Sequence, residues 1–190
     1  MARDMSGIVS RSLRRVGILV ALCHLFGSLF AQTAGEYELK AAFLYKFASF
    51  VVWPPASATG PLCIGIVGRD PFGPNLDRIV RGQTANGRPF RIQRFKALEN
   101  IEGCEIVFIS SSERRRLPSI LDKLKREAVL TVGDVPEFCE SGGIISFQLV
   151  GDRIHLTINL EAAERSNLQL SSRLLSLASV IRGGGAVASQ

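Results

Sequence analysis

The side chains in this sequence that could do chemistry are four cysteines, two histidines and some closely spaced carboxylates among 190 residues. His155 lies between Ile154 and Leu156 in an alternating stretch. A general base needs a group that orients it, and none is visible beside this one. Glu137 with Glu140, and Glu161 with Glu164, stand one helical turn apart, which is the spacing of an acid pair and equally of a solvated helix face. The chain has no H-E-x-x-H, C-x-x-C or G-x-S-x-G pattern. It reads as a non-enzymatic protein, with no catalytic residue, metal or cofactor.

Two further stretches could bind rather than react. Gly68-Arg69-Asp70-Pro71-Phe72-Gly73 follows an apolar run and precedes a helical one, where open α/β sheets hold phosphates. It lacks the Lys-Ser/Thr of a P-loop and the spacing of a dinucleotide fingerprint, so it reads first as a turn. Arg69 and Asp134, at strand ends, mark a candidate small-molecule pocket. Arg114, Arg115 and Arg116 form the densest basic run after the amino terminus. A nucleic-acid interface would add a stripe of charge and stacking aromatics, so the run reads as a solvated helix start and no nucleic-acid partner is expected.

The compartment decides what the cysteines do. Arg3, Arg11, Arg14 and Arg15 precede an apolar run from Val16 to Ala31 that ends in small and polar residues, the order of a cleavable signal peptide. The run falls short of the roughly 20 residues a membrane span needs and is interrupted by His24, Gly27 and Ser28. Residues 1–34 are expected to be an export signal to the periplasm, 35–182 one α/β domain and 183–190 a flexible tail. Without 1–34 the formal charge falls from +6 to about +3, with 19 basic and 16 acidic side chains left. Cys63, Cys104 and Cys139 then remain, an odd count in an oxidising compartment. Cys63 opens the run CIGIVG and Cys104 the run CEIVFIS. As neighbouring parallel strands these would bring the two near the roughly 5.5 Å spacing of a disulfide, and a Cys63–Cys104 bond is expected. Cys139 is left as a free thiol, an intermolecular link or a buried apolar residue.

Periodicity supplies the elements that must position these groups. Leu39, Phe43, Phe47 and Phe50/Val51 recur at helical spacing until Pro54 and Pro55, with Glu36 one turn before Lys40. Leu62–Gly68 reads as a buried strand, Leu76, Ile79 and Val80 as a short helix, and FRIQRF as a strand with Phe90, Ile92 and Arg94 on one face. Cys104–Ile109 and Val129–Val132 are further strands, flanking a helix through Leu117, Ile120, Leu121 and Leu124. Asp134 should cap a brief helix at Pro136–Cys139. A hairpin turns at Gly151-Asp152 and returns over Arg153–Asn159, Asn159 caps a helix, and Asn167 ends it. Ser171 or Ser172 starts a last helix through Leu174, Leu175, Ala178 and Ile181. Strands alternating with helices and closing in a hairpin predict an α/β layered sandwich, its mixed, largely parallel central sheet flanked by helices.

Four stretches in order carry a resemblance. The helix K-A-A-F-L-Y-K-F followed by F-V-V-W-P, then GGIISF, IHLTINLEAA and LQLSSRLLSLA, resemble the succession that opens and closes YfiR-like domains, over Tyr37 to Ile181. The sequence departs from that pattern in lacking a second cysteine pair and in having Asn167 where glycine is usual. The resemblance implies a periplasmic regulator that binds the sensory domain of an inner-membrane diguanylate cyclase and holds it inactive, lowering cyclic di-GMP and biofilm formation. An outer-membrane lipoprotein and a second copy of the chain are further implied partners. The partner surface is expected around Glu161, Arg165, Leu168 and Arg173, at the break between two helices. A periplasmic small-molecule sensor using Arg69 and Asp134 is the alternative.

Overall fold

The computed structural model describes residues 35–55, 60–96, 101 and 103–183. The expected signal segment 1–34, and the expected tail beyond its first residue, lie outside the described residues. Helix α1 spans 35–47 and is shorter than the proline stops imply. The N–H groups of Ser49 and Phe50 donate to the carbonyls of Lys46 and Phe47 at 2.9 and 3.0 Å, tightening the last turn, and Val51–Val52 emerge as strand β1. The buried face is also rotated. Ala41, Leu44, Phe47 and Ala48 are buried, whereas Leu39 is 46% exposed, because Lys40 turns inward to an ion pair with Asp134 at 2.9 Å.

The chain continues through β2 (Leu62–Val67), α2 (Pro74–Val80), β3 (Thr84–Ala85), β4 (Arg88–Phe95) and β5 (Ile106–Ile109). A 3₁₀ segment, Ser111–Arg116, runs into α3 (Leu117–Leu124), followed by β6 (Leu130–Gly133) and the hairpin β7 (Ile145–Val150) and β8 (Arg153–Asn159). The last elements are α4 (Leu160–Arg165), β9 (Gln169–Leu170), α5 (Ser172–Leu175) and β10 (Ala178–Ile181). Eight strands form one sheet in the order β10-β8-β7-β6-β5-β2-β4-β3. It is parallel from β4 through β7 and antiparallel at the β7/β8 and β3/β4 pairs. This is the mixed, largely parallel α/β sheet that the alternation predicts, and every residue of β2, β5 and β6 is buried, as central parallel strands require.

Two expected helices take other forms. Pro136–Cys139 is a turn, because Glu137 adopts φ 58°, which a helix cannot hold. The final helix stops at Leu175, and Ala178–Ile181 becomes an edge strand parallel to β8.

Cys63 and Cys104 are joined, with Cα atoms 4.4 Å apart. The register sets Ile64 opposite Ile106, so Cys63 is level with Glu105 and the bond crosses diagonally to the residue before it. Glu105 supports the junction: its Oε2 accepts from the Cys63 N–H at 2.8 Å, and its carboxylate pairs with Arg88. At the other side of the sheet β6 and β7 share only the pairs Val132↔Ile145 and Gly133↔Ser146. Phe138 fills the remaining space, and a Cβ on Gly133 or Gly143 would come within 2.5 or 2.1 Å of its ring. The Ile144 N–H donates to Thr131 Oγ1 at 3.0 Å and Asn159 Nδ2 to the Cys139 carbonyl at 2.8 Å. Phe43 and Phe47 of α1 cover Phe147 at 6.0 and 5.9 Å. Cys139 is buried here as a free thiol, and burial, with the Glu140 charge adding to it, pushes its pKa up to about 12.

Candidate partner-binding surface

The opening and closing segments of the domain meet in a second, two-stranded sheet. Val51 lies opposite Leu170 and Val52 opposite Gln169, and the Ser171 N–H donates to the Phe50 carbonyl at 2.9 Å. The sequence builds this locally. Asn159 accepts from the Ala162 N–H at 3.0 Å and caps α4. Asn167, at φ 54°, makes the left-handed turn that ends it, and Ser171 accepts from the Leu174 N–H at 3.3 Å to start α5. Only β9 fits between the two helices, and β1 is its partner.

Beside this clasp lies an open groove of about 480 Å³, walled by Val52, Trp53, Pro54 and Pro55 on one side and by Glu164 and Gln169 among others opposite. Trp53 is fixed by its indole N–H, which donates to the Glu105 carbonyl at 3.2 Å. Val52 and Leu177 are 62% and 61% exposed. Glu164, in the groove lining, approaches Arg182 to 3.8 Å, and elsewhere on α4 and α5 Glu161 and Arg165 pair at 2.9 Å and Arg173 is exposed. Exposed pairs of this kind contribute about 0.3–0.5 kcal/mol to a helix, so the fold barely depends on them. A tryptophan and proline wall with an exposed carboxylate in the same lining has the anatomy of a protein interface.

Of the residues expected to meet a partner, Glu161, Arg165 and Arg173 lie on the surface. Leu168 is 4% exposed, because the turn at Asn167 folds it inward and its N–H donates to the Ala163 carbonyl at 3.0 Å, and it forms part of the groove lining. Val52, Trp53, Pro54 and Pro55 were missed. Their signal was the W-P-P run, which sequence reading takes only as a helix stop.

Arg69 and Asp134 have different surroundings. Asp134 is buried against Lys40, while the Arg69 N–H donates to Ser112 Oγ at 2.9 Å. The crevice between the carboxyl ends of β2 and β5 is occupied by the chain itself. A Cβ on Gly68 would lie 2.5 Å from Ser112 Oγ and 2.7 Å from Glu113 Cγ. His155 is exposed opposite Gln148. Among the described residues no three His, Cys, Asp or Glu side chains gather as a metal site, and no helix is long and apolar enough to cross a membrane.

Residues 37–179 match the model of the family described as YfiR/HmsC-like. The chain belongs to the YfiR/HmsC-like family. Members of this family are periplasmic regulators rather than catalysts, and at the family level membership supports a role in diguanylate cyclase signalling. No curated protein is similar enough in sequence to match. Two solved structures resemble the YfiR/HmsC-like fold seen here. One is the ABC domain in complex with L-Trp from Streptococcus pneumonia, with a TM-score of 0.51 and 9% identity over 73% of this chain and 59% of that one. The other is a conserved domain protein from Vibrio cholerae, with a TM-score of 0.51 and 12% identity over 76% of this chain and 59% of that one. At such identities they show the fold alone, and the chain spans about three fifths of each.

Proposed function

We propose that the protein is exported to the periplasm by residues 1–34, binds the periplasmic domain of an inner-membrane diguanylate cyclase, and holds it inactive, lowering cyclic di-GMP. The observation that supports this reading is the groove lined by Trp53, Pro54, Pro55 and Leu168, on a domain whose α4 and α5 also carry Glu161, Arg165 and Arg173 as surface charges on which the fold barely depends. Such a surface represses by preferring one conformation of its partner over another, and its leverage equals the difference in affinity between the two.

Deleting the gene should raise cyclic di-GMP, and restoring an exported copy should lower it. A copy without residues 1–34 should fail to do so. Reversing Arg165→Glu together with Arg173→Glu should change stability by about 0.5 kcal/mol or less per site, yet release the cyclase, because like charges pressed together at an interface cost several-fold more. Repression that survives the double reversal would refute the surface. Unchanged cyclic di-GMP on deletion would refute the regulator and leave a small-molecule sensor.

A further inference from the structure

The other end of the sheet carries a different opportunity. β3 covers only Arg88 and Pro89 of β4 before the chain leaves, so the rest of this eight-residue strand is an edge among the described residues. The Phe95 carbonyl accepts from the Gly68 N–H on the β2 side at 3.1 Å. Main-chain groups alternate along a strand, so those of Phe95, Gln93 and Arg91 face β2, and those of Arg94, Ile92 and Phe90 face outward. Arg88, two residues earlier in the same alternation, bonds outward to β3, as this requires. Three outward N–H and three outward C=O groups therefore form a template for another strand.

The space next to that edge has a shape. An open groove of about 430 Å³ lies between α2 and β4, with Val80, Pro89, Phe90 and Ile92 in its lining and Asp77 and Arg81 at its polar side. Tyr45 of α1 packs edge-on against Phe90 at 5.3 Å, which fixes the groove's inner wall. Arg94 is engaged by Asp70 at 2.6 Å and Asp77 at 2.5 Å. The bond from Arg94, with the charge of Arg81 adding to it, holds the Asp77 carboxyl below its ordinary value. Those four charges offset one another. Arg91 and Lys96, both exposed, leave the edge with a positive excess. A second copy would bring the same excess against itself, and like charges across a ladder are unfavourable.

We propose that this edge receives an extended acidic segment of a protein partner, added as a strand beside β4 with alternate side chains seated in the groove. The site is separate from the clasp at β1 and β9 and does not depend on the function proposed above.

Amide hydrogen exchange on the full chain tests this, using a synthetic peptide of alternating valine and glutamate as probe and its valine–lysine counterpart as control. Strand addition should slow exchange at Phe90, Ile92 and Arg94 by about tenfold, while Arg91 and Gln93, already bonded to β2, stay as they were. Ile92→Pro should abolish the effect, since an edge strand tolerates proline where the lost N–H faces outward. If that variant does not fold, an acidic probe N-methylated at alternate residues serves instead, and it should give no protection. The proposal is overturned if the acidic probe leaves the three amides unchanged or if the lysine probe protects them equally. Protection that grows with protein concentration without any probe would also overturn it, because a second copy would then be the occupant.

Discussion

The two halves of the sheet are held together by different means. β4, β2, β5 and β6 share continuous parallel registers, six residue pairs between β2 and β4 and four at each of the next two junctions, and a disulfide ties β2 to the approach to β5. β7, β8 and β10 meet this half at two residue pairs. The rest of that seam is Phe138 wedged against two glycines, with Thr131 and Asn159 supplying buried hydrogen bonds. Damage to one rung of the first half is backed by the neighbouring rungs along the strand. Damage at the seam has no such backing, and α4, which bears part of the candidate partner surface, continues directly from β8.

Phe138→Ala is the most direct way to break the weaker half. Deleting a fully buried ring costs about 3–5 kcal/mol, and hydrogen exchange in β7, β8 and β10 should accelerate well before that in β2 and β5. Equal acceleration throughout the sheet would show that the halves open as one unit and would end the contrast. A smaller loss is expected in the stronger half. Cys63→Ala with Cys104→Ala opens a cross-link between residues 41 apart and should cost about 2–4 kcal/mol. Because those strands open only with the whole domain, the global denaturation midpoint should fall, and exchange confined to one edge would contradict this.

The smallest of these effects depends on pH. Below pH 9.0, the ordinary value for a thiol, Cys139 is neutral in both folded and unfolded chains and contributes no slope. Above it the unfolded chain ionises while the native thiol, raised to about 12, does not, so stability falls as pH rises through that window. Chemical denaturation at about pH 10 should show a loss on the order of 1 kcal/mol relative to pH 8. Cys139→Ala should lose less over the same interval, and identical slopes would mean that the thiol is not held neutral.

The sequence makes the parallel half legible because its strands are short, apolar and bounded by turns, and because helix α3 repeats Leu117, Ile120, Leu121 and Leu124 with a clear period. The caps at Asn159 and Ser171 and the left-handed Asn167 are equally readable, since each acts within three residues of itself. What could not be read depends on distant partners. Leu174 to Ile181 suits a helix by composition, yet the open side of β8 takes Ala178–Ile181 as a strand. Lys40 faces inward only because Asp134 lies 94 residues away in sequence. Leu168 and Trp53 line one groove for the same reason: they are brought together when β1 meets β9, and neither segment alone contains that information.

That meeting also sets a time. Val51 and Leu170 are separated by nearly the whole domain, and pairings between such distant residues are the slowest to form. A chain that emerges amino end first keeps its tryptophan and prolines without the opposite wall until β9 arrives. The parallel strands have no need to wait for it. Under the function proposed above, the groove acts as a completeness check: a chain cut short before Gln169 keeps every strand from β1 to β8 in its sequence but lacks β9, so recognition is deferred until the domain is entire.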